Sequence, residues 1–205
     1  MAINTSECPH GSKNRATVKY TAFFRNTNLG RLNCPTKSQL EEAFSVAGGV
    51  RPSSFLTNGT VVFESKSLAG ARSVLDRAQA ALKIDCGLKE PAYLRSMSYL
   101  EMLVREDPFG SIDRHQVHEL CISFLDCPEG DPSRLPKVSR RKDVELIHVS
   151  RTAILSVSHR IGKTPGSPNS YLEGILGCPV TTRAWNTVCR IVRRHALNSL
   201  GEEGR

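Results

Sequence analysis

At residues 53–63 the chain reads SSFLTNGTVVF, in which two runs of strand-favouring residues lie on either side of Asn58-Gly59. An Asn-Gly pair supplies the positive φ angles that a tight hairpin turn needs. The sequence therefore predicts two antiparallel strands, residues 53–57 and 60–63, joined at this turn.

A helix is predicted on each side of this hairpin. Before it, apolar residues recur at helical spacing over residues 40–47, and Ser38 and Glu41 have the spacing of a capping box. After it, a second apolar stripe runs over residues 68–82, with Ser67 as its predicted N-cap. Each stripe predicts a helix that buries one face.

Two further strands are predicted at residues 19–25, which read KYTAFFR, and at residues 91–95. Together with the hairpin and the helices they give the order β-α-β-β-α-β, which is the order of the ferredoxin-like motif. The predicted fold class is therefore α+β, with residues 18–110 as a first ferredoxin-like subdomain.

The remaining chain, residues 111–205, is predicted to form a second α+β subdomain. Its predicted elements are strands at 119–125, 144–149 and 153–157, a basic loop at 158–168, and helices at 170–176 and about 183–196. The final helix is basic and has an apolar stripe that should dock on the sheet. Residues 1–17 lack apolar periodicity and are predicted to be a flexible leader.

The charge of the chain suggests an anionic partner. Lys and Arg number 28 against 20 Asp and Glu, which gives a net charge of +8. The excess lies in the two ends of the sequence, whereas the middle is acidic. Clustered positive charge concentrates nucleic acid or nucleotides near a surface. The alternative interpretation is a solubility charge spread over a solvated surface.

Two further features concern the compartment. No stretch approaches the roughly 18–20 consecutive apolar residues that span a bilayer, and the first 17 residues lack the apolar core of a secretory signal. The seven cysteines are an odd count without a CxxC pair, so we interpret them as reduced thiols. The sequence therefore predicts a cytoplasmic protein without membrane contact.

Three segments carry a resemblance to a known family. They are FFRNTNLG at residues 23–30, TNGTVVF at 57–63 and TTRAWNTV at 181–188. In order and spacing they resemble signature segments of the bacterial domain of unknown function 1697 family. The resemblance spans roughly residues 19–197 and implies an α+β body of two ferredoxin-like subdomains. It implies no activity, because that family has no generally established one.

The chain departs from the family pattern at some positions and keeps others. It has Thr60 where the family has Asn in the second segment, and Ala184 where the family has Asn before the tryptophan. The positions that match are Arg25, Asn28, Gly30, Gly59, Arg183, Trp185, Asn186 and Thr187. The resemblance implies that these polar signature positions belong together.

The first candidate site follows the first predicted strand. Arg25, Asn28 and Gly30 lie where a loop leaves that strand, a common place for binding groups. In one interpretation, Arg25 or Asn28 contacts an anion there. In the other, Asn28 closes a turn and Arg25 pairs with a carboxylate. Asn58 is either a further ligand contact or part of the hairpin turn alone.

The second candidate site is the start of the final helix. Arg183, Thr187, Arg190 and Arg194 have spacings of four, three and four, which places them on one helical face. With Thr181 or Thr182 as N-cap, the first turn beside Arg183 and Asn186 would suit a phosphate or carboxylate. The alternative is a solvated cationic face. Trp185 is either a core anchor or a base-stacking platform.

No enzyme chemistry or metal site is predicted. His115, His118 and Cys121 have three-residue spacings, but the segment turns into a strand and no fourth ligand is suggested. The chain has neither a nucleophile elbow nor a Walker loop nor a dinucleotide glycine motif. The prediction is therefore a protein without a cofactor and with no named reaction.

Three functions remain as hypotheses, of which the third, a protein–protein adaptor, has no long amphipathic or heptad segment to support it. The first is an anion-binding module for nucleic acid or a phosphorylated ligand, using the Arg and Asn loops and the basic final helix. The alternative is a small enzyme or sensor whose pocket lies between the subdomains, formed by the Arg25 loop, the Asn58 hairpin and the Arg183 segment. A flat basic face favours the first, and convergence of Arg25, Asn28, Arg183 and Asn186 on a cleft favours the second. The oligomeric state is left open.

Overall fold

The first half of the chain folds as a ferredoxin-like unit. The structure, a computed structural model, describes residues 16–126 and 135–196. Its first elements are β1 (Val18–Phe24), α1 (Lys37–Val46), β2 (Val50–Phe55), β3 (Thr60–Ser65), α2 (Leu68–Cys86) and β4 (Ala92–Ser96). The strands form an antiparallel sheet in the order β2-β3-β1-β4. This is the ferredoxin-like arrangement that the sequence predicts.

The second half repeats that strand order. After α3 (Met97–Glu106), its elements are β5 (Glu119–Phe124), β6 (Val144–Val149), β7 (Ala153–Ser158), β8 (Arg160–Ile161), β9 (Thr164–Pro165), α4 (Pro168–Leu176), β10 (Thr181–Ala184) and α5 (Trp185–Ala196). The larger sheet has the order β10-β5-β7-β6. The described part of the connection between β5 and β6 contains no helix. The predicted α+β fold with two ferredoxin-like subdomains is confirmed.

The two subdomains share a central core. Phe23 of β1 and Phe124 of β5 stack with their ring centroids 4.3 Å apart. Apolar residues of α3 and α5 complete this core, while α1 and α2 pack on the first sheet in a separate cluster and α4 packs on the second. The predicted docking of the C-terminal helix on the sheet is confirmed, because α5 contacts β5 and contributes buried residues to the shared core.

Local geometry differs from the prediction at the hairpin. The turn has four residues, Leu56 to Gly59, so β2 ends at Phe55 rather than at residue 57. Leu56 and Gly59 both have positive φ. A Cβ on Gly59 would lie 2.5 Å from Cβ of Thr27, so the close approach of the neighbouring loop requires glycine here.

The helix caps also differ from the prediction. Thr36 and Gln39 form the capping box of α1, so the predicted box of Ser38 and Glu41 is wrong. The carboxylate of Glu41 instead accepts hydrogen bonds from the backbone N–H and hydroxyl of Ser54. Ser96 caps α3, and its side chain accepts from the N–H of Tyr99. The predicted Ser67 cap of α2 is confirmed.

The segment before the final helix is a strand. Residues Thr181–Ala184 pair with β5 as β10, so the prediction that Thr181 or Thr182 caps the helix and that Arg183 lies on it is wrong. Pairing with β5 satisfies the backbone groups that the edge of β5 would otherwise leave open. The helix α5 begins at Trp185.

The predictions about the cysteines, the membrane and the leader have different outcomes. Cys34, Cys86, Cys121 and Cys189 are free thiols, but Cys178 is disulfide-bonded, so the prediction of reduced thiols is wrong at Cys178. An odd cysteine count does not rule out a single bridge.

No helix of the described residues is long and apolar enough to cross a membrane. The predicted leader lies outside the described residues except for residues 16 and 17.

Candidate anion-binding surface

Arg25 is paired with two carboxylates at the end of β1. Its Nε donates to Oε1 of Glu173 at 2.6 Å and its Nη2 to Oε2 at 3.0 Å, while Nη1 donates to Oε2 of Glu90 at 2.6 Å. These hydrogen bonds raise the pKa of Arg25, and the Arg25 guanidinium lowers the pKa of the Glu173 carboxyl. Of the two interpretations of Arg25, the structure shows the carboxylate pair.

Asn28 and Gly30 lie in the exposed turn after β1. The carbonyl of Asn28 accepts from the N–H of Arg31 at 3.1 Å, and the N–H of Gly30 donates to the carbonyl of Pro35 at 2.9 Å. Gly30 has a φ of +81°, and a Cβ there would meet no atom within 4 Å. These contacts make the segment a backbone turn that Gly30 permits.

Arg183 is buried where β10 meets the first sheet, and its donors are all used. Nη2 donates to the carbonyls of Phe24 and Asn58, each at 2.7 Å. Nη1 donates to Thr181 Oγ1 at 2.8 Å and to the carbonyl of Thr182 at 3.0 Å, and Nε donates to Thr60 Oγ1 at 3.4 Å. The guanidinium therefore joins the two sheets and keeps no N–H for an anion.

Burial has an electrostatic consequence for Arg183. Its side chain is only 7% exposed, and desolvation lowers its pKa to about 10. The carbonyl oxygens of Phe24 and Asn58 stabilise the charge in place of a carboxylate. Asn58 also accepts from Thr60 Oγ1 through its own Oδ1 at 2.9 Å, so both of its oxygens take part in this junction.

The side chains of the first turn of α5 lie partly in the core and partly on the surface. Trp185 is 3% exposed and packs edge-on against Phe109, with ring centroids 5.3 Å apart, so it is a core anchor and has no face for stacking on a base. Asn186 is exposed and Thr187 half-buried. Asn186 lines a small cavity of about 180 Å³ beside Arg114 and His118.

The arginines of α5 are exposed. Arg190 and Arg194 place their guanidinium carbons 5.6 Å and 5.9 Å from the ring centroid of Phe55, and Arg193 is also exposed. The helix contains no acidic residue. Within residues 16–126 and 135–196, these three arginines form no ion pair within 4 Å.

Two cations of the first sheet extend this region. Lys19 Nζ donates to the carbonyl of His195 at 3.1 Å. Arg51 pairs with Glu64 at 2.7 Å. Lys19, Arg51, Glu64, Arg194 and His195 line a depression of about 260 Å³. We call Lys19, Arg51, Arg190, Arg193 and Arg194 the basic α5 surface.

Two titratable groups on this surface, His195 and Glu64, have shifted pKa values. Burial, followed by the charges of Arg194 and Lys19, lowers the pKa of His195. Burial would raise the pKa of the Glu64 carboxyl, but hydrogen bonds from Thr17 and Arg51 outweigh it and hold that pKa below its usual value. The neighbouring cations thus add to the effect of burial at His195 and oppose it at Glu64.

The structure brings together only part of the predicted site. Arg25, Asn58 and Arg183 meet at the junction of the sheets, where their polar groups are occupied, and Arg190 lies apart from them on α5. Arg193, Lys19 and Arg51 were missed. Arg193 belongs to a basic run visible in the sequence, whereas Lys19 and Arg51 reach α5 only through tertiary contacts.

The residues considered for a metal do not form a site. Cys121 is buried in β5, and desolvation raises the pKa of its thiol to about 12. His118 Nδ1 lies 3.2 Å from Nη2 of Arg160. Within the part of the chain that the structure describes, no three His, Cys, Asp or Glu side chains gather as metal ligands.

Comparisons with known proteins concern the family and the fold. A family model described as "Protein of unknown function (DUF1697)" matches residues 18–154. The structure is similar to that of the conserved bacterial protein SP0830 from Streptococcus pneumoniae, with a TM-score of 0.61 and 19% sequence identity over 87% of this chain and 98% of that one. No curated protein matches the chain significantly. The segment 181–188 lies outside the range that the family model matches.

Proposed function

The chain belongs to the DUF1697 family of proteins of unknown function, and within that family we propose that it binds nucleic acid through the phosphates, on the basic α5 surface. The observation that carries this proposal is the set of three exposed arginines on α5 without a carboxylate partner among the described residues. Arginine guanidinium groups bind phosphate oxygens strongly and often through two hydrogen bonds.

The shape of the surface favours a polyanion over a small ligand. The depression beside Arg194 holds about 260 Å³, which is below the roughly 300–1,000 Å³ of typical small-molecule pockets. The cations instead extend along the helix and onto the first sheet, where successive phosphates of one backbone reach them.

The environment of aromatic residues favours duplex over single-stranded nucleic acid. Phe55, the ring nearest the arginines, is 5% exposed, and Trp185 is 3% exposed. Single-strand binders stack bases on accessible aromatic side chains, which this surface lacks. Binding therefore depends on phosphate contacts and is independent of base sequence.

The alternative function, a ligand pocket at the Arg25 loop, the Asn58 hairpin and Arg183, has less support. Arg25 already holds Glu173 and Glu90, and Arg183 holds five oxygen acceptors. A ligand there would have to displace these partners.

Fluorescence anisotropy with a labelled DNA duplex at low salt tests the proposal. The variant Arg190→Gln/Arg193→Gln/Arg194→Gln removes three charges and keeps side chains long enough to cover Phe55. We expect its affinity to fall by about tenfold or more. The control Lys37→Gln/Lys83→Gln/Lys163→Gln removes the same charge from exposed positions elsewhere. Equal loss in both variants would show that only net charge matters, and would contradict a specific surface.

A further inference from the structure

A cavity lies at the junction of the subdomains, away from the α5 arginines. It holds about 670 Å³, within the range of small-molecule sites. Its walls come from β1, α2, β4 and the first turn of α3, together with Asp126 and Thr152 of the second subdomain. We infer that this cavity binds a small organic oxyanion, a carboxylate or phosphate ester with an apolar body.

Arg95 supplies a buried positive charge in the wall of this cavity. Its side chain is 8% exposed, and its Nη2 donates to the carbonyls of Leu125, at 2.9 Å, and Thr152. The Nε has no hydrogen-bond partner. An arginine that keeps an unused donor at nine-tenths burial is costly, so a ligand oxygen that reached this buried N–H from the cavity would be stabilised.

The charge of Arg95 is stabilised by the backbone carbonyls of Leu94, Leu125 and Thr152, but only weakly by a carboxylate. Among the described residues its carboxylate partner is Asp126, whose Oδ1 lies 3.5 Å from Nη2 and whose side chain is 60% exposed. Desolvation lowers the pKa of Arg95 despite this carboxylate. A bound oxyanion would supply the countercharge that Asp126, from a hydrated position, supplies only in part.

Further groups around Arg95 fit the polar end of such a ligand. Ser96 caps α3 and accepts from the N–H of Tyr99, and Ser98 in the same turn has an exposed hydroxyl on the cavity. On the opposite wall, Arg72 of α2 is exposed. The first-turn N–H groups of a helix have no intrahelical acceptor, so they add to the charges of Arg95 and Arg72. The same lining contains two carboxylates, Asp76 and Asp126, so the oxyanion must bind at the Arg95 and Ser98 end of the cavity.

The remaining lining fits an apolar body. Val18 is 42% exposed and Leu68 48% exposed, and both border the cavity together with Leu75 and Leu94. Burying such exposed side chains against a ligand removes apolar surface from water and so favours binding. A free inorganic anion would leave this surface uncovered, which is why the inference specifies an organic one.

The test is a titration of ¹⁵N-labelled protein followed by amide chemical shifts, with phenyl phosphate and benzoate as probes and phenol as the uncharged control. We expect both anions to shift the amides of Leu94, Ser98 and Tyr99 saturably, and phenol to bind at least tenfold more weakly. The variant Arg72→Gln should weaken both anions severalfold, and Ser98→Trp, at an exposed position of the cavity wall, should block them. Neither change touches the core.

The triple α5 variant separates this site from the basic α5 surface. It should keep the shifts at Leu94 and Ser98 unchanged, whatever becomes of duplex binding. Absence of saturable shifts with both anions at 10 mM would overturn the inference. So would shifts confined to α5 that disappear in the triple variant, or shifts that neither Arg72→Gln nor Ser98→Trp reduces.

Discussion

Arg25 and Glu173 join the two subdomains through a two-point ion pair, with Nε to Oε1 at 2.6 Å and Nη2 to Oε2 at 3.0 Å. Arg25 follows β1 of the first sheet, and Glu173 lies on α4 of the second subdomain. Both side chains are more than three-quarters buried. Glu173 also accepts from the backbone N–H of Val180 at 2.9 Å. The pair thus fixes the relative position of β1, α4 and the start of β10.

This ion pair makes stability depend on pH. The Arg25 hydrogen bonds lower the pKa of Glu173 below its ordinary 4.5, so the unfolded chain binds a proton more readily than the folded one. The stabilisation is therefore complete above about pH 4.5 and is lost as the pH falls through the lower folded-state pKa. We expect Glu173→Gln to lower the unfolding free energy by about 1–2 kcal/mol at pH 7.

Urea unfolding of both proteins between pH 7 and pH 3 measures this effect. The difference between wild type and Glu173→Gln should shrink as the pH falls below about 4.5. A difference that stays constant over that range would contradict the assignment of Glu173 as a charged partner of Arg25.

Arg183 should stabilise the fold, so its substitution should lower the free energy of unfolding. Arg183→Met removes five hydrogen bonds. It leaves the half-buried carbonyl of Asn58 without its donor and the carbonyl of Phe24 with only the Thr181 hydroxyl at 3.3 Å. We expect a loss of about 3 kcal/mol or more in unfolding free energy. Arg190→Met, on the exposed face of α5, is the matched control and should cost less than about 1 kcal/mol. Thermal unfolding distinguishes them, and an unchanged melting temperature in Arg183→Met would refute its role as a clamp.

Gly59 should tolerate no side chain. It has a φ of +65°, and a Cβ would lie 2.5 Å from Cβ of Thr27. Gly177 has a similar φ of +67° with nothing within 4 Å of a Cβ. Gly177→Ala should therefore show only backbone strain, about 1–2 kcal/mol, while Gly59→Ala should lose more. Equal losses by chemical denaturation would mean that the Thr27 contact is unimportant.

Local patterns in the sequence predicted most of the first subdomain. The Asn58-Gly59 turn and the apolar stripes of α1 and α2 are signals carried within a few residues, and they located these elements well. β10 was missed because Thr181–Ala184 is short and forms only by pairing with β5, which lies far away in the sequence. The same limit applies to the four-residue hairpin turn, whose Gly59 lies against Thr27 of the neighbouring loop.

The site was predicted less completely than the fold. Arg190 followed from helical spacing alone, since an arginine opposite the apolar stripe of α5 must face solvent. Arg183 lies only seven residues earlier, yet it is in a strand and buried. Its surroundings depend on β1 and the β2–β3 hairpin, which no local pattern connects to it. Lys19 likewise joins the surface only because β1 begins beside His195.

The salt dependence of duplex affinity tests the central claim most directly. If Lys19, Arg190, Arg193 and Arg194 each contact a phosphate, the slope of log K against log salt concentration should be about −4, and about −1 in the triple α5 variant. Anisotropy titrations between 50 and 200 mM salt give both slopes. A wild-type protein that binds no duplex at low salt, or a slope that the triple variant leaves unchanged, would contradict nucleic-acid binding on the basic α5 surface.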